Sequence, residues 1–314
     1  MLARVANNLF WMGRYIERAE HVARYLNVNY FASLDAPNEL SQSRQFVLQS
    51  MLFMADDFTR NENELDEEEV LYDIALNPDK NFSIINYVKL ARENANSARD
   101  LISTELYEAI NKFYHFVLNY PVENFKKNGL YDFSVQVTEN TSILRAKIRG
   151  TLLHDEVYSI IMLGVNIERA TQIIRIINSK YKDAVIAQGS YGDTLKNSYE
   201  WTTLLKCAES YDMMRRFYRQ TPTSITTLEF LILNTDCPRS VMNSLNEVWE
   251  HINDLIHEKR PAKDSSAFMI GKVRAKYRFK VIEEIESDLQ TFIEEILDDL
   301  NGIGIKLEQE YFHY

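Results

Sequence analysis

The chain has 314 residues, 46% of them hydrophobic and 12% aromatic, with only nine Gly and six Pro. That length supports a large core and about two domains at ~150 residues each, and so few turn formers exclude a disordered chain or a turn-rich β-sandwich. A net charge of -11 and a pI near 5.2 exclude a broad phosphate-backbone surface, which needs concentrated Lys and Arg, so no nucleic-acid partner is expected.

At the N-terminus, charges interrupt every short apolar run of "MLARVANNLFWMGRYIER". This is not the pattern of a secretory signal, and nowhere does an uncharged apolar run reach the ~18 residues of a membrane span. No membrane partner and a cytoplasmic location are therefore expected. Cys207 and Cys237 are the two cysteines; they make neither a disulfide framework nor a zinc motif.

From Val5 to Tyr30, apolar or small residues fall at Val5, Leu9, Met12, Ile16, Ala19, Ala23, Leu26 and Tyr30, spaced by four and three as on one side of a helix. Trp11, Tyr15, Arg18, Val22 and Tyr25 form a second row. A helix with two apolar sides belongs inside a bundle. Glu17 and Arg18 then face packed surroundings, where neither charge is stable unpaired. Because neighbouring helical positions diverge by ~100°, the two do not face each other and need partners elsewhere.

The chain itself suggests those partners. "GRYIERAEHVARYLNVNY" (13–30) aligns without gaps on "GVNIERATQIIRIINSKY" (164–181) with eight identities in eighteen positions. "LNPDKNFSIIN" (76–86) likewise matches "LNTDCPRSVMN" (233–243), where Ser83 and Ser240 sit as helix caps after an Asx turn. This reads as an internal duplication. Halves of approximately 1–120 and 155–260 are expected, with helices near 4–33, 41–60, 67–76 and 83–119 in the first and 155–181, 198–219, 223–233 and 240–258 in the second. A connecting helix at 138–154 and C-terminal helices at 264–300 and 303–312 complete a single all-α domain, 1–314.

Duplicated halves commonly pack about a pseudo-twofold through equivalent elements. That arrangement predicts Glu17 paired with Arg169 and Arg18 with Glu168. Two readings of the cluster stay open: an ion network holding the halves in register, or a polar pocket that also takes in Arg14, His21, Arg92 and Glu93. No residue is assigned as catalytic; Glu17 and Glu168 are the candidates for a general base.

Other chemistry finds little support. The Glu-x-x-His spacing of carboxylate-bridged metal sites occurs only at Glu310–His313, Gln172 stands where the first copy has His21, and the Asp56-Asp57 and Asp298-Asp299 pairs lack a third Asp. No metal and no cofactor on this chain are expected. Cys207 lies within a helical run and reads as packing, there is no glycine-rich phosphate loop, and the basic segment 272–280 is followed by compensating acids.

The blocks "ANNLFWMGRYIERAEHVARYL", "GVNIERA", "ARENANSARDLISTELYEAIN" and "FLILNTDCPRSV", in that order over nearly the whole chain, resemble the alpha-E family, bacterial all-helical domains named for a Glu-Arg motif. The resemblance implies a context: alpha-E proteins are encoded beside, or fused to, circularly permuted ATP-grasp proteins, often with a transglutaminase-like protease, in systems expected to ligate amides on peptides. It implies these two as partners, with ATP and magnesium bound by the ligase. The motif maps onto Gly13, Arg14, Glu17 and Arg18, and onto Gly164, Glu168 and Arg169. Val165 stands where the family typically has Arg, which makes any site asymmetric. The function expected is an accessory or co-catalytic partner of the ligase; a stand-alone enzyme acting through the Glu-Arg pairs and a non-catalytic scaffold are the alternatives.

Overall fold

The computed structural model describes residues 1–34, 44–55, 57, 65–191, 194–256 and 261–312, with the side chains of 128 and 181–197 left aside. The elements in chain order are α1 (Ala3–Leu34), α2 (Arg44–Met54), α3 (Glu67–Ala75), α4 (Ile84–Ser97), a 3₁₀ turn (Arg99–Leu101), α5 (Thr104–Leu118), the one-turn α6 (Val122–Asn124), a π turn (Phe125–Gly129) and α7 (Leu130–Thr151). There follow α8 (Glu156–Tyr191), α9 (Thr194–Cys207), α10 (Tyr211–Tyr218), α11 (Ser224–Ile232), α12 (Val241–Asp254), α13 (Ser266–Arg278), α14 (Ile282–Ser287), α15 (Leu289–Leu307) and a π turn (Glu308–Phe312). The protein is all-α, with no strand among the described residues.

The two-sided apolar pattern of α1 places it at the centre. It packs against α8, α4 and α7, while α8 also carries α12 and α15. The α1/α8 contact is close because each helix has a glycine at the crossing. A Cβ on Gly13 would sit 2.6 Å from the Ile161 carbonyl oxygen, and one on Gly164 would collide with the Phe10 carbonyl oxygen. Further along the same pair, the Tyr25 hydroxyl bonds Ser50 on α2 and Ser179 on α8, each at 2.5 Å. All three residues are buried.

The two matched loops make the same local bonds. Asn77 Oδ1 accepts from the Asp79 amide at 3.0 Å and Asn234 Oδ1 from the Asp236 amide at 2.9 Å. Asn86 donates to the Pro78 carbonyl at 2.8 Å and Asn243 to the Thr235 carbonyl at 2.9 Å. Ser83 then caps α4 and Ser240 caps α12.

Several expected helices are broken or moved. The run 83–119 divides at Ala98, because Ser103 caps a new helix by accepting from the Leu106 amide. The run 198–219 divides after Cys207, where Glu209 adopts φ 54. The C-terminal run 264–300 is three helices rather than one, the connecting helix starts at Leu130 rather than 138, and α8 continues to Tyr191. Parts of the expected 41–60 and 240–258 helices, Asp56, and His313 of the Glu-x-x-His spacing lie outside the described residues.

Candidate functional site

Two Glu-Arg centres lie where α1 crosses α8. In the first, Glu168 is fully buried and accepts from Arg18 Nε at 2.6 Å, Arg18 Nη2 at 3.0 Å, Arg14 Nε at 2.8 Å and Gln172 at 2.7 Å. Its lone pairs are satisfied by charge-assisted bonds, the strong class of hydrogen bond. Burial pushes the Glu168 carboxyl up, but Arg18, Arg14 and these bonds outweigh it and bring it down to about 2. Arg18 is raised in turn, because Glu168 outweighs its desolvation. The Arg14 guanidinium lies 4.5 Å from the Trp11 ring and that of Arg18 lies 5.4 Å from the Tyr87 ring. Aromatic faces thus pack against both cations.

The second centre is larger. Arg169 donates through Nε at 2.7 Å and Nη2 at 3.1 Å to the two carboxylate oxygens of Glu17, the pairing reciprocal to Arg18–Glu168. His21 bonds Glu17 at 3.2 Å, and Arg239, from the loop before α12, reaches Glu17 at 3.4 Å and Glu20 at 2.9 Å. Glu20, fully buried, also pairs with Arg24 and with Arg145 of α7. Burial opposes ionisation of Glu17, but Arg169, His21 and Arg239 hold its carboxyl well below the usual range. Burial lowers His21 to about 4 against its bond to Glu17, so the imidazole is neutral at pH 7. In this geometry Nε2–H donates to Glu17 and Nδ1 has no hydrogen-bond partner among the described residues.

Glu209 closes the second centre from outside. Its carboxylate meets Arg24 at 2.9 Å and Arg239, although its side chain is 53% exposed. The Glu209 amide bonds the Lys206 carbonyl and the Ser210 amide the Leu205 carbonyl, the Schellman ending of α9. That ending needs a left-handed residue, usually Gly; a glutamate at φ 54 costs on the order of 1 kcal/mol.

Of the sequence candidates, Arg14, Glu17, Arg18, His21, Glu168 and Arg169 are in these two centres. Arg92 is not: it donates to Asn111 at 2.7 Å and lies 4.6 Å from the Tyr114 ring, turned towards α5 by the division of the 83–119 run. Glu93 is exposed on α4 and borders a groove instead. Glu20, Arg24, Arg145, Glu209 and Arg239 were missed. The i,i+4 spacing of Glu20 and Arg24 is a usable signal, as is Arg239 standing where the matched segment 76–86 has Phe82. Arg145 and Glu209 join only through the fold.

The groove holds about 610 Å³ and runs along α4 beside the first centre, lined by Tyr15, Arg18, Phe82, Asn86, Tyr87 and Lys89 among others. The Tyr15 and Tyr87 rings stack at 6.3 Å. Burial pushes Tyr87 up to about 12, so its hydroxyl stays protonated. Among the described residues, no group of three His, Cys, Asp or Glu is placed to hold a metal, and no helix is long and apolar enough to cross a membrane.

No curated protein and no solved structure matches the chain. The alpha-E family, described as a predicted alpha-helical domain with a conserved ER motif, matches residues 1–312. With its two Glu-Arg steps, Glu17-Arg18 and Glu168-Arg169, at the centre of an all-α body, this chain belongs to the alpha-E family.

Proposed function

We propose that this chain is a non-catalytic, substrate-holding partner of a circularly permuted ATP-grasp amide ligase in a bacterial system that makes or modifies peptides. The observation that carries the reading is the α4 groove, about 610 Å³ in volume, with the Arg18 guanidinium and the Tyr15–Tyr87 stack in its lining. An arginine beside aromatic faces suits a peptide bearing a carboxylate, through directional hydrogen bonds and apolar contact. ATP and magnesium belong to the ligase in this scheme, both proteins work in the cytoplasm, and a transglutaminase-like protease acts in the same system.

Glu17 and Glu168 are poorly suited as general bases. Both are at most 1% exposed, both are saturated by arginines, and a carboxylate with a lowered pKa is a weak base. That observation favours a structural task for the pairs themselves, with binding at the groove beside them.

The test combines this protein, the neighbouring ATP-grasp protein, ATP, magnesium and mixed amino acids, with mass spectrometry of the products and each protein alone as control. An amide product formed only in the mixture is expected. Phe82→Ala with Lys89→Glu, which leave both buried centres intact, should lower it about tenfold, equivalent to ~1.4 kcal/mol of lost binding. Full product from the ligase alone overturns the reading; product from this chain alone makes it an enzyme.

A further inference from the structure

The second centre is short of negative charge. Arg24, Arg145, Arg169 and Arg239 converge on Glu17, Glu20 and Glu209, with His21 neutral. One of those three carboxylates reaches the centre from the surface. Glu17 and Glu20 come from the buried side of α1, whereas Glu209 comes from the turn after α9, is 53% exposed, and sits in a left-handed conformation disfavoured for its residue type. Arg24 is 8% exposed, yet its Nη1 has no hydrogen-bond partner among the described residues. Burial and then Arg239 lower Arg24 to about 10; Arg145 is also lowered to about 10, by burial first and against the pull of Glu17. Cations crowded in this way are relieved by an added anion.

We propose that the Arg24–Arg145–Arg239 cluster is a binding site for a phosphate monoester group, and that Glu209 is its resident stand-in. The ligand's oxygens take the place of the Glu209 carboxylate on Arg24 and Arg239 and extend to Arg145, whose side chain is 25% exposed. The Glu209 side chain swings outward as they enter, while the turn keeps its bonds to the Lys206 and Leu205 carbonyls. Phosphate is favoured over carboxylate by charge. With Glu209 withdrawn, four arginines face two carboxylates, an imbalance that a dianion neutralises and a single carboxylate does not. This site is separate from the α4 groove and does not depend on the ligase partnership.

The experiment is calorimetric titration of the full chain with inorganic phosphate, comparing wild type, Glu209→Gly and Glu209→Gly/Arg145→Gln. Because the stand-in lowers the fraction of open sites, removing it should tighten binding about tenfold or more. Arg145→Gln should then abolish that gain, while Lys276→Gln on α13, whose partners are Glu295 and Asp299, should preserve it. Glu209→Gln, which removes the charge and keeps the turn's side chain, provides the same comparison if the glycine variant does not fold. No gain on removing Glu209, a gain that survives Arg145→Gln, or acetate binding as tightly as phosphate would each overturn the proposal. Free phosphoserine binding as tightly as a phosphoserine peptide assigns the site to small molecules; tighter binding of the peptide assigns it to phosphorylated chains.

Discussion

The two Glu-Arg centres are built from the same motif on the same pair of helices, yet one is closed and the other is crowded. In the first, a single carboxylate takes every bond from two arginines and a glutamine, and Arg18 is raised as a cation that has found its anion. In the second, three carboxylates divide four arginines, and Arg24 and Arg145 are lowered. The difference arises from a few positions where the matched segments diverge: Arg14 against Val165, His21 against Gln172, Glu20 against Thr171, and Arg239 against Phe82. A buried Glu-Arg pair costs desolvation, and replacing it by apolar residues is often neutral, but removing one partner alone is severe. The pairs are therefore better understood as fixing the register of α1 on α8 than as a source of net stability.

Breaking both centres together should have the largest effect. Gly164→Ala puts a Cβ against the Phe10 carbonyl, which belongs to a rigid helix and cannot yield. The helices must separate, and a loss of more than about 3 kcal/mol is expected from urea unfolding. Breaking only the first centre comes next. Glu168→Gln leaves Arg14 and Arg18 without their counter-charge and should cost about 3–5 kcal/mol.

Acid sharpens the comparison because the second centre holds a histidine where the first holds Gln172. His21 is lowered to about 4 in the folded protein, against ~6.5 unfolded. Its contribution is therefore complete above pH ~6.5 and lost as pH falls to about 4, on the order of 3 kcal/mol. Glu168, lowered to about 2, keeps its contribution above the unfolded value of ~4.3 and loses it below that, by a similar amount. His21→Gln, which copies the Gln172 of the first centre, should remove the upper limb of the stability-against-pH curve and leave the lower one.

Smaller effects are expected away from the centres. Ser240→Ala removes the cap of α12 at about 1 kcal/mol, and Ser83→Ala should match it if the two loops are as alike as their bonds. Lys276→Gln, at a half-exposed partner of Asp299 and Glu295, should change the unfolding free energy by less than about 0.5 kcal/mol.

Much of this was legible in the sequence, for identifiable reasons. The four-and-three spacing from Val5 to Tyr30 marks a buried helix, and two charges on such a helix demand partners. The matched segment at 164–181 supplies them, so the Glu17–Arg169 and Arg18–Glu168 pairs were accessible without coordinates. The break at Ala98 escapes the apolar spacing, which runs on through it, although Ser103 is a good N-cap residue. Arg145 and Glu209 could not be found: each meets α1 across more than a hundred residues, and nothing local marks either one. Glu209 least of all announces itself, since the position it occupies normally calls for glycine.

The measurement that bears most directly on the difference between the centres is the melting temperature of wild type and of Glu209→Gln, each with and without saturating phosphate. A ligand that binds only the folded state raises stability by mass action. Wild type keeps the Glu209 carboxylate on Arg24 and Arg239, so only the variant presents those arginines without a stand-in. Phosphate should raise the melting temperature of Glu209→Gln by clearly more than that of wild type. Equal shifts in the two, or none in Glu209→Gln, would contradict the account.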